Sequence, residues 1–267
     1  MNQFLSLILT FLLLLGWATN VDAKRKNIGS LYAADFPTHR NADSEPDFSL
    51  EGEIGIISAS GNSDTTSLSG NLVADHEMLN WSNRYTIESN YTRTRSDSQE
   101  RSVTSAQRFN LSLEADYKLL DPDKRVFLFA DYEDNRFDGF DKQGSVAAGW
   151  ARIKLQSEST SFRYSIGPGY NYAKPIDEED EDTSGVIIRG TAEFIYQWSS
   201  GARLRQLLTT AAGKVLTQSR SETSLSTKVI DDLSMQLSFI VAHNSSPGTD
   251  IAAVDTRTSV SLVYQFF

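Results

Sequence analysis

Cysteine is absent from the 267 residues, and histidine occurs only three times. A chain without cysteine has no disulfide framework, no thiolate metal site and no lipid attached to a cysteine after a leader. Beyond Lys24-Arg25-Lys26, lysine and arginine form no cluster, and the formal net charge is −10, which argues against a nucleic-acid partner, since such a partner requires a basic patch. We therefore expect no cofactor and no nucleic-acid ligand.

Long apolar runs are missing beyond residue 23. None approaches the roughly 18 residues of a membrane helix, so any insertion into a bilayer must use a closed barrel of strands. The one continuous apolar segment, from Phe4 to Trp17, precedes Val21-Asp22-Ala23, where small residues stand at the positions that a signal peptidase reads. We predict a signal peptide over residues 1–23 with Lys24 as the mature start. An uncleaved anchor is the alternative, because the leader has no basic side chain.

Residues 24–47 contain two prolines and show no alternation of polar and apolar side chains. This composition predicts a periplasmic N-terminal extension before the first strand.

From residue 48 onward, polar and hydrophobic residues alternate in about twelve stretches. The clearest runs from Arg108 to Leu119, where one face is hydrophobic and the other is charged or polar. A helix would spread both sets of residues around its circumference, so the period of two predicts a strand. In a transmembrane strand, every second side chain faces the bilayer. We predict strands near residues 48–60, 65–77, 82–94, 103–119, 125–134, 143–156, 160–172, 185–199, 201–212, 219–230, 233–243 and 255–267, with ambiguous faces in the sixth and ninth.

The connections between these strands alternate in length. Leu120 to Lys124 and Asp231-Asp232 are short, whereas Ala173 to Ser184 and Asn244 to Val254 are long. Short periplasmic turns facing longer extracellular loops are typical of a membrane barrel, and aromatic residues gather near both ends of the predicted wall. The sequence predicts an all-β fold over residues 48–267: a closed antiparallel transmembrane β-barrel of about 12 strands with up-and-down topology. A soluble secreted β-sandwich that binds a partner is the alternative.

Several motifs resemble those of the YdiY-like salt-induced outer-membrane protein family (domain of unknown function 481). They are the segment from Gly61 to Trp81, the Tyr-Glu-x-x-Arg-Phe pattern from Tyr132 to Phe137, Gly167-Pro168-Gly169-Tyr170, and the closing segment from Ser259 to Phe266. The resemblance implies a β-barrel in the outer membrane of a Gram-negative bacterium. It implies no reaction, because the family has no settled activity.

The chain ends on Phe266-Phe267, whereas the family's closing strand usually stops on one aromatic residue. The alternation predicts an outward row made of Val260, Leu262, Tyr264 and Phe266. Phe267 then points inward or is free. We expect the barrel-assembly machinery to bind this strand, and outer-membrane lipids and lipopolysaccharide to surround the wall.

The inward rows carry charges of both signs. The predicted lumen-lining residues are Arg84, Glu88, Arg108, Glu114, Asp116, Lys118, Arg163, Arg189, Glu193 and Arg257. In a barrel of twelve strands, side chains of this length bridge much of the interior. We predict a narrow or occluded lumen that contains ion pairs. The charged side chains either fill and rigidify the interior or form a selective path for small solutes and ions.

An acidic run lies in the predicted fourth outer loop and comprises Asp177, Glu178, Glu179, Asp180, Glu181 and Asp182. Clustered carboxylates are candidate ligands for calcium or for divalent ions that bridge to lipopolysaccharide. The run lacks the alternating spacing and the glycine of a defined calcium loop, so a solvated acidic segment is the simpler interpretation.

His243 and Ser245 lie two residues apart at the outer rim and are the candidate catalytic pair. A histidine that activates a serine beside lipid is the arrangement of outer-membrane lipid hydrolases. The sequence identifies no third residue to orient the imidazole, and a rim histidine bonded to nearby backbone is the simpler interpretation. His39 and His76 are predicted too far away to complete a metal site with His243.

The leading hypothesis is therefore a non-enzymatic outer-membrane barrel, either structural or a narrow pathway. A surface lipid hydrolase is the closest alternative.

Overall fold

The computed structural model describes residues 47–59, 63–96, 103–121, 123–135, 140–175, 183–214, 216–246 and 253–266. The predicted signal peptide, nearly all of the N-terminal extension and the acidic run 177–182 lie outside these ranges. Within them, no helix is long and apolar enough to cross a bilayer.

Twelve β-strands account for most of the described chain. They are β1 (Asp47–Ala59), β2 (Ser63–Glu77), β3 (Trp81–Ser96), β4 (Val103–Lys118), β5 (Lys124–Asn135), β6 (Phe140–Gln156), β7 (Thr160–Pro175), β8 (Thr183–Gln197), β9 (Arg203–Gly213), β10 (Thr217–Ile230), β11 (Leu233–Asn244) and β12 (Val254–Gln265). Each predicted boundary lies within three residues of an observed one.

Every strand pairs antiparallel with the next along the chain, and β12 pairs with β1 to close the barrel. This confirms the predicted fold class. A closed barrel leaves no free sheet edge where all its seams are paired, which is why strands can cross a membrane in this form.

The period of two in the sequence becomes two faces of the wall. On β4, Phe109 and Leu111 point outward and are 42% and 46% exposed, whereas Asp116 on the other face is 5% exposed. The outward rows of most other strands are also largely apolar, whereas β10 presents Ser221 and Thr223 beside Gln206 of β9. Apolar side chains outside and charged side chains inside are the reverse of the arrangement in a soluble protein and are typical of a transmembrane β-barrel.

Aromatic rings pair edge to face at the ends of strands that lie on one side of the barrel. The ring centroids of Trp81 and Tyr117 are 5.1 Å apart, and those of Tyr264 and Phe266 are 5.0 Å apart. Such pairs form part of the girdle that the sequence predicts at the periplasmic end.

The structure of β6 explains why the sequence left its inward and outward faces ambiguous. Its register with β7 shifts between Ile153 and Leu155. Ile153 is 3% exposed and Leu155 is 53% exposed, although residues two apart in a regular strand share a face. A bulge here reverses the alternation, and the hydrophobic pattern alone does not reveal it.

The Gly-Pro-Gly motif lies where β6 and β7 approach most closely. A Cβ atom on Gly167 would lie 2.2 Å from the Ala148 carbonyl oxygen and 2.7 Å from the Cα atom of Gly149. Because those atoms belong to the backbone, no side-chain rotation relieves the clash. Glycine is required at this point of the wall for steric reasons.

The turn between β4 and β5 is held by its own residues. The Lys124 amide donates to the Asp121 carbonyl at 2.9 Å, and the Lys124 ammonium lies 2.8 Å from the Asp121 carboxylate. Hydrogen bonds from Lys124 and from the Asp123 amide hold the pKa of Asp121 below its usual value.

Candidate functional site

Contacts between strands that are not neighbours in the sheet identify the interior of the barrel. The clearest joins Arg163 on β7 to Asp116 on β4, with Nη2 of Arg163 donating at 2.8 and 2.7 Å to the two carboxylate oxygens. The same nitrogen lies 2.5 Å from Glu114 Oε1. Two strands separate β4 from β7, so this cluster lies inside the lumen and joins strands a quarter of the way around the ring.

Arg125 on β5 extends this cluster toward β3. Its guanidinium donates to Ser82 Oγ at 2.8 Å and lies 3.9 Å from Asp116. The side chains of Arg125, Asp116 and Arg163 are each less than a tenth exposed. Guanidinium groups of this kind are stabilised in a buried position only because carboxylates and hydroxyls surround them.

Two further ion pairs lie at the same end of the interior. Arg84 Nε and Nη2 donate to the two oxygens of Asp75 at 2.7 and 3.1 Å, which is a bidentate pair. The Lys118 ammonium donates to the Glu77 carboxylate and, at 2.6 Å, to the Met78 carbonyl. β3 and β4 are thereby tied to the end of β2.

A chain of alternating charges continues around the wall on β8, β9 and β10. Arg205 lies 2.5 Å from Glu193 and 3.5 Å from Glu222, and Arg220 lies 2.9 Å from Glu222. Each carboxylate thus faces a guanidinium, so these charges neutralise one another within the interior.

Arg108 anchors a second network nearer the extracellular end. It donates to Glu133 at 2.8 and 2.6 Å and lies 3.5 Å from Glu88. Glu133 also accepts from Gln143 at 2.9 Å, and Gln143 in turn accepts from Gln218 at 2.9 Å. Because Gln143 is on β6 and Gln218 on β10, this network too crosses the lumen.

Part of the interior is apolar. Phe127 and Phe129 on β5 are 2% and 8% exposed and cluster with Ala147 and Ala151 on β6. The guanidinium carbon of Arg189 on β8 lies 3.5 Å from the centre of the Phe129 ring, a cation–π contact across the barrel. The rings of Phe127 and Phe129 thus fill part of the lumen beside β5.

Arg257 on β12 lies at the outer end of the interior. Its Nη1 donates to Asn90 Oδ1 on β3 at 3.0 Å. With this contact, each of the predicted lumen-lining side chains is placed: Arg84, Glu88, Arg108, Glu114, Asp116, Lys118, Arg163, Arg189, Glu193 and Arg257 all lie on rows that face the interior.

Sequence reasoning missed many of the partners. These are Asp75, Glu77, Arg125, Glu133, Arg205, Arg220 and Glu222. They lie on β2, β5, β9 and β10, where the sequence analysis named no lumen residue, so the period of two had no recognised charge from which to extend. Phe127 and Phe129 could not be assigned to the interior from the sequence either, because both faces of β5 are apolar at that point.

The candidate catalytic pair lies at the outer end of β11. Ser245 Oγ accepts a hydrogen bond from the Thr217 amide at 2.8 Å, and the Ser245 amide donates to the Thr217 carbonyl at 2.9 Å. Ser245 therefore fastens the end of β11 to the start of β10. His243 stands opposite Ser219 and Val254 in the sheet. In the described ranges, no group of three or more histidine or acidic side chains is arranged to hold a metal ion.

Comparison with known proteins identifies sequence relatives and similar folds. A family described as "Protein of unknown function, DUF481" matches residues 52–266. The chain is 27% identical over 227 residues to "Uncharacterized protein YdiY" of Escherichia coli (strain K12), covering 80% of this chain and 82% of that protein.

Two solved structures match most of the length of the chain. The COG4313 outer membrane channel from Pseudomonas putida F1 has 11% identity and a TM-score of 0.49, and covers 83% of this chain and 95% of that one. The outer membrane channel DcaP of Acinetobacter baumannii has 8% identity and a TM-score of 0.40, with 83% and 97% covered. At these identities and scores the likeness says nothing about activity.

Proposed function

The chain belongs to the DUF481 family of proteins of unknown function, and we propose that it is an outer-membrane β-barrel whose lumen is held closed by the ion-pair network of its interior. The proposal has two parts, the membrane location and the closed state, and each is supported by different side chains.

The outer surface supports the membrane location. Outward side chains such as Ile56, Leu128 and Leu262 are 68%, 52% and 52% exposed. Monomeric soluble proteins rarely expose contiguous apolar surface of more than a few hundred Å², and apolar side chains cover most of the outer wall of this barrel except at β9 and β10. A lipid bilayer is the solvent that suits such a band, and closed barrels of this kind are found in bacterial outer membranes.

The cluster of Arg163 with Asp116 and Glu114 is the observation that carries the closed state. It joins two strands that are not neighbours in the sheet through Arg163, a residue that is 5% exposed. Opening the lumen here would separate buried charges, and breaking a buried ion pair costs about 3–5 kcal/mol. Thermal motion alone therefore opens this layer rarely.

Bilayer conductance tests the closed state. We expect refolded wild-type protein to leave a planar membrane near its baseline current. Replacement of Arg163 by alanine should produce discrete conductance steps, because the bridge across the lumen is lost. Arg93→Ala, on the outward face of β3, is the matched control and should behave as the wild type. Steady conductance of the wild type would overturn the proposal.

A narrow pathway for small ions is the second candidate. Polar side chains line the interior from Glu77 near the inner end of β2 to Asn135 at the outer end of β5, and they could relay ions between charged sites. Under this alternative the wild type conducts, and Arg189→Ala changes the preference between cations and anions.

The proposed barrel is not an enzyme. Ser245 Oγ is already engaged by the Thr217 amide, which supports a structural role for this residue. Incubation with phospholipid and lipopolysaccharide should release no acyl chains, and Ser245→Ala should change nothing. Acyl release that depends on Ser245 would establish the hydrolase instead.

We further propose that the outward row of β12 is the segment that the barrel-assembly machinery binds. Val260, Leu262, Tyr264 and Phe266 are all exposed on the outer surface. Phe266→Ala should reduce the amount of heat-modifiable barrel in the outer membrane while leaving refolding in detergent unchanged. An unchanged amount of heat-modifiable barrel in the outer membrane would contradict the proposal.

A further inference from the structure

The seam between β1 and β12 is the shortest pairing in the barrel. Thirteen residue pairs join β1 to β2 and eleven join β11 to β12. Only five described pairs join β1 to β12, from Glu51 with Gln265 to Gly55 with Ser261. Toward the extracellular end, Arg257 to Val260 continue to pair with β11, but none of the described residues 56–59 of β1 pairs with them.

The unpaired part of the seam lies at membrane depth. A transmembrane strand needs about ten residues to cross the hydrocarbon layer. β12 has 12 residues, so Thr256 to Val263 lie inside that layer whichever end protrudes. The edge from Arg257 to Val260 is therefore exposed at a depth where each unsatisfied backbone group costs several kcal/mol. Acyl chains alone cannot satisfy this edge, so a polar group must reach it.

The unpaired part of the seam is called the gap below. Side chains beside it are exposed even where they face the interior. Arg257 pairs in register with Ile240, which is 7% exposed and points inward. Arg257 nevertheless remains exposed, whereas Arg108 and Arg220 on other interior rows are only 22% and 26% exposed at their side chains. The arginine beside the gap is thus more open to its surroundings than arginines elsewhere on the interior rows.

Arg257 is chemically suited to an anion. Its described contact is to the neutral amide of Asn90, and the two carboxylates that also act on its charge, Glu88 and Glu222, are each paired with another arginine. The remaining N–H groups form a planar fork that fits a carboxylate or phosphate. The arginines of the ion pairs named above each face a carboxylate, and Arg189 is covered by an aromatic ring.

The outer surface beside the gap is strongly apolar. Ile54, Ile56 and Val260 are 63%, 68% and 53% exposed. A molecule held here would meet apolar side chains outside the wall and a guanidinium inside it.

We propose that the outer half of the β1–β12 seam is a lateral portal for anionic amphiphiles. The acyl chain lies against Ile54, Ile56 and Val260 in the outer leaflet, and the anionic head passes between the strands to the guanidinium of Arg257. The head group satisfies polar groups of the unpaired edge. This inference rests on the proposed membrane location, but it does not depend on whether the lumen conducts.

Binding in detergent tests the portal. The full chain, refolded in zwitterionic micelles and shown by heat-modifiable migration to be folded, is titrated with a fluorescent single-chain fatty acid and with its methyl ester. We expect Arg257→Gln to weaken binding of the acid at least tenfold and to leave the ester unchanged. Arg93→Gln, which removes a guanidinium from the outward face, is the control and should match the wild type.

A phosphate-headed single-chain lipid in a parallel titration distinguishes the two sources of the anion. Tighter binding of the phosphate indicates a phospholipid-like ligand, and tighter binding of the carboxylate indicates a fatty acid. Equal affinity of wild type and Arg257→Gln for both anions overturns the portal while leaving the closed barrel intact. Failure to fold in detergent overturns the membrane location as well.

Site-directed quenching provides a readout that does not involve Arg257. The chain has no cysteine, so single cysteines carry a fluorophore without background. Ser259→Cys lies on the interior row beside the gap, and Ser112→Cys lies on the interior row of β4. A brominated fatty acid should quench the label at 259 severalfold more than the label at 112. Equal quenching, or disulfide-linked dimers of Val260→Cys that close the edge with a second copy, overturns the proposal.

Discussion

Replacing Arg163 by methionine removes one guanidinium and leaves its two carboxylates in place. The side chain of Arg163 is 6% exposed, and those of Asp116 and Glu114 are 7% and 25% exposed. Removing one partner of a buried pair costs about 3–5 kcal/mol, because the remaining charge stays buried without compensation. Since Glu114 is a quarter exposed, water screens part of the loss, and we expect a value of about 3–4 kcal/mol.

Urea unfolding in lipid vesicles measures this loss. With a slope of about 2 kcal/mol per molar urea, the expected destabilisation lowers the midpoint by about 1.5–2 M. Tryptophan fluorescence follows the transition, and the migration of unboiled samples in a gel confirms that the barrel is folded before urea is added. Arg93→Met, on the outward face of β3, is the matched control and should shift the midpoint by less than about 0.3 M.

A triple variant separates the lost charge from the lost packing. When Asp116→Asn and Glu114→Gln accompany Arg163→Met, no charge of this cluster remains buried. We expect at least half of the stability to return, because replacing a whole buried ion pair is often nearly neutral. A triple variant as unstable as the single one, or a single variant within about 0.5 kcal/mol of the wild type, would refute the reasoning about the cluster.

Three further perturbations test the wall and its turns. Gly167→Ala should prevent or strongly slow refolding in detergent because its Cβ would meet the Ala148 carbonyl at 2.2 Å, whereas Gly190→Ala, with its nearest atom at 4.0 Å, should refold like the wild type. Leu111→Lys should cost about 2–4 kcal/mol in vesicle unfolding, and a cost below about 1 kcal/mol would place this face in water rather than lipid. Lys124→Met should raise the pKa of Asp121 toward its usual value, as followed by carboxyl carbon NMR. Because the folded pKa of Asp121 is depressed, its small contribution to stability is present above the unfolded pKa and is lost as the pH falls through the folded one; an unchanged titration would show that the ion pair does not form in solution.

Strand positions were predictable because the membrane imposes a strict local rule. Phe109 and Leu111 alternate with Asn110 and Ser112, and one side of such a strand must face lipid. The same rule predicted the row that ends on Phe266. Each position could be assigned from its neighbours two residues away, without any knowledge of distant parts of the chain.

Pairing inside the barrel was much less predictable. Arg163 and Asp116 are 47 residues apart, and nothing near either residue in the sequence points to the other. Arg108 was recognised as a lumen residue, but its main partner Glu133 was not. Partner choice depends on the register of several strands and on the size of the closed ring, and neither is encoded in a short stretch of residues.

The hydrophobic alternation and the loop lengths settle that this chain forms a rolled sheet with its apolar side outward, since these are local consequences of strand geometry in contact with lipid. The bulge at Ile153, the filling of one side of the interior by Phe127 and Phe129, and the early end of pairing at Gly55 arise only when the ring closes. Closure forces twelve strands to share one circumference, and the resulting mismatches appear as bulges, tight glycine contacts and a short seam.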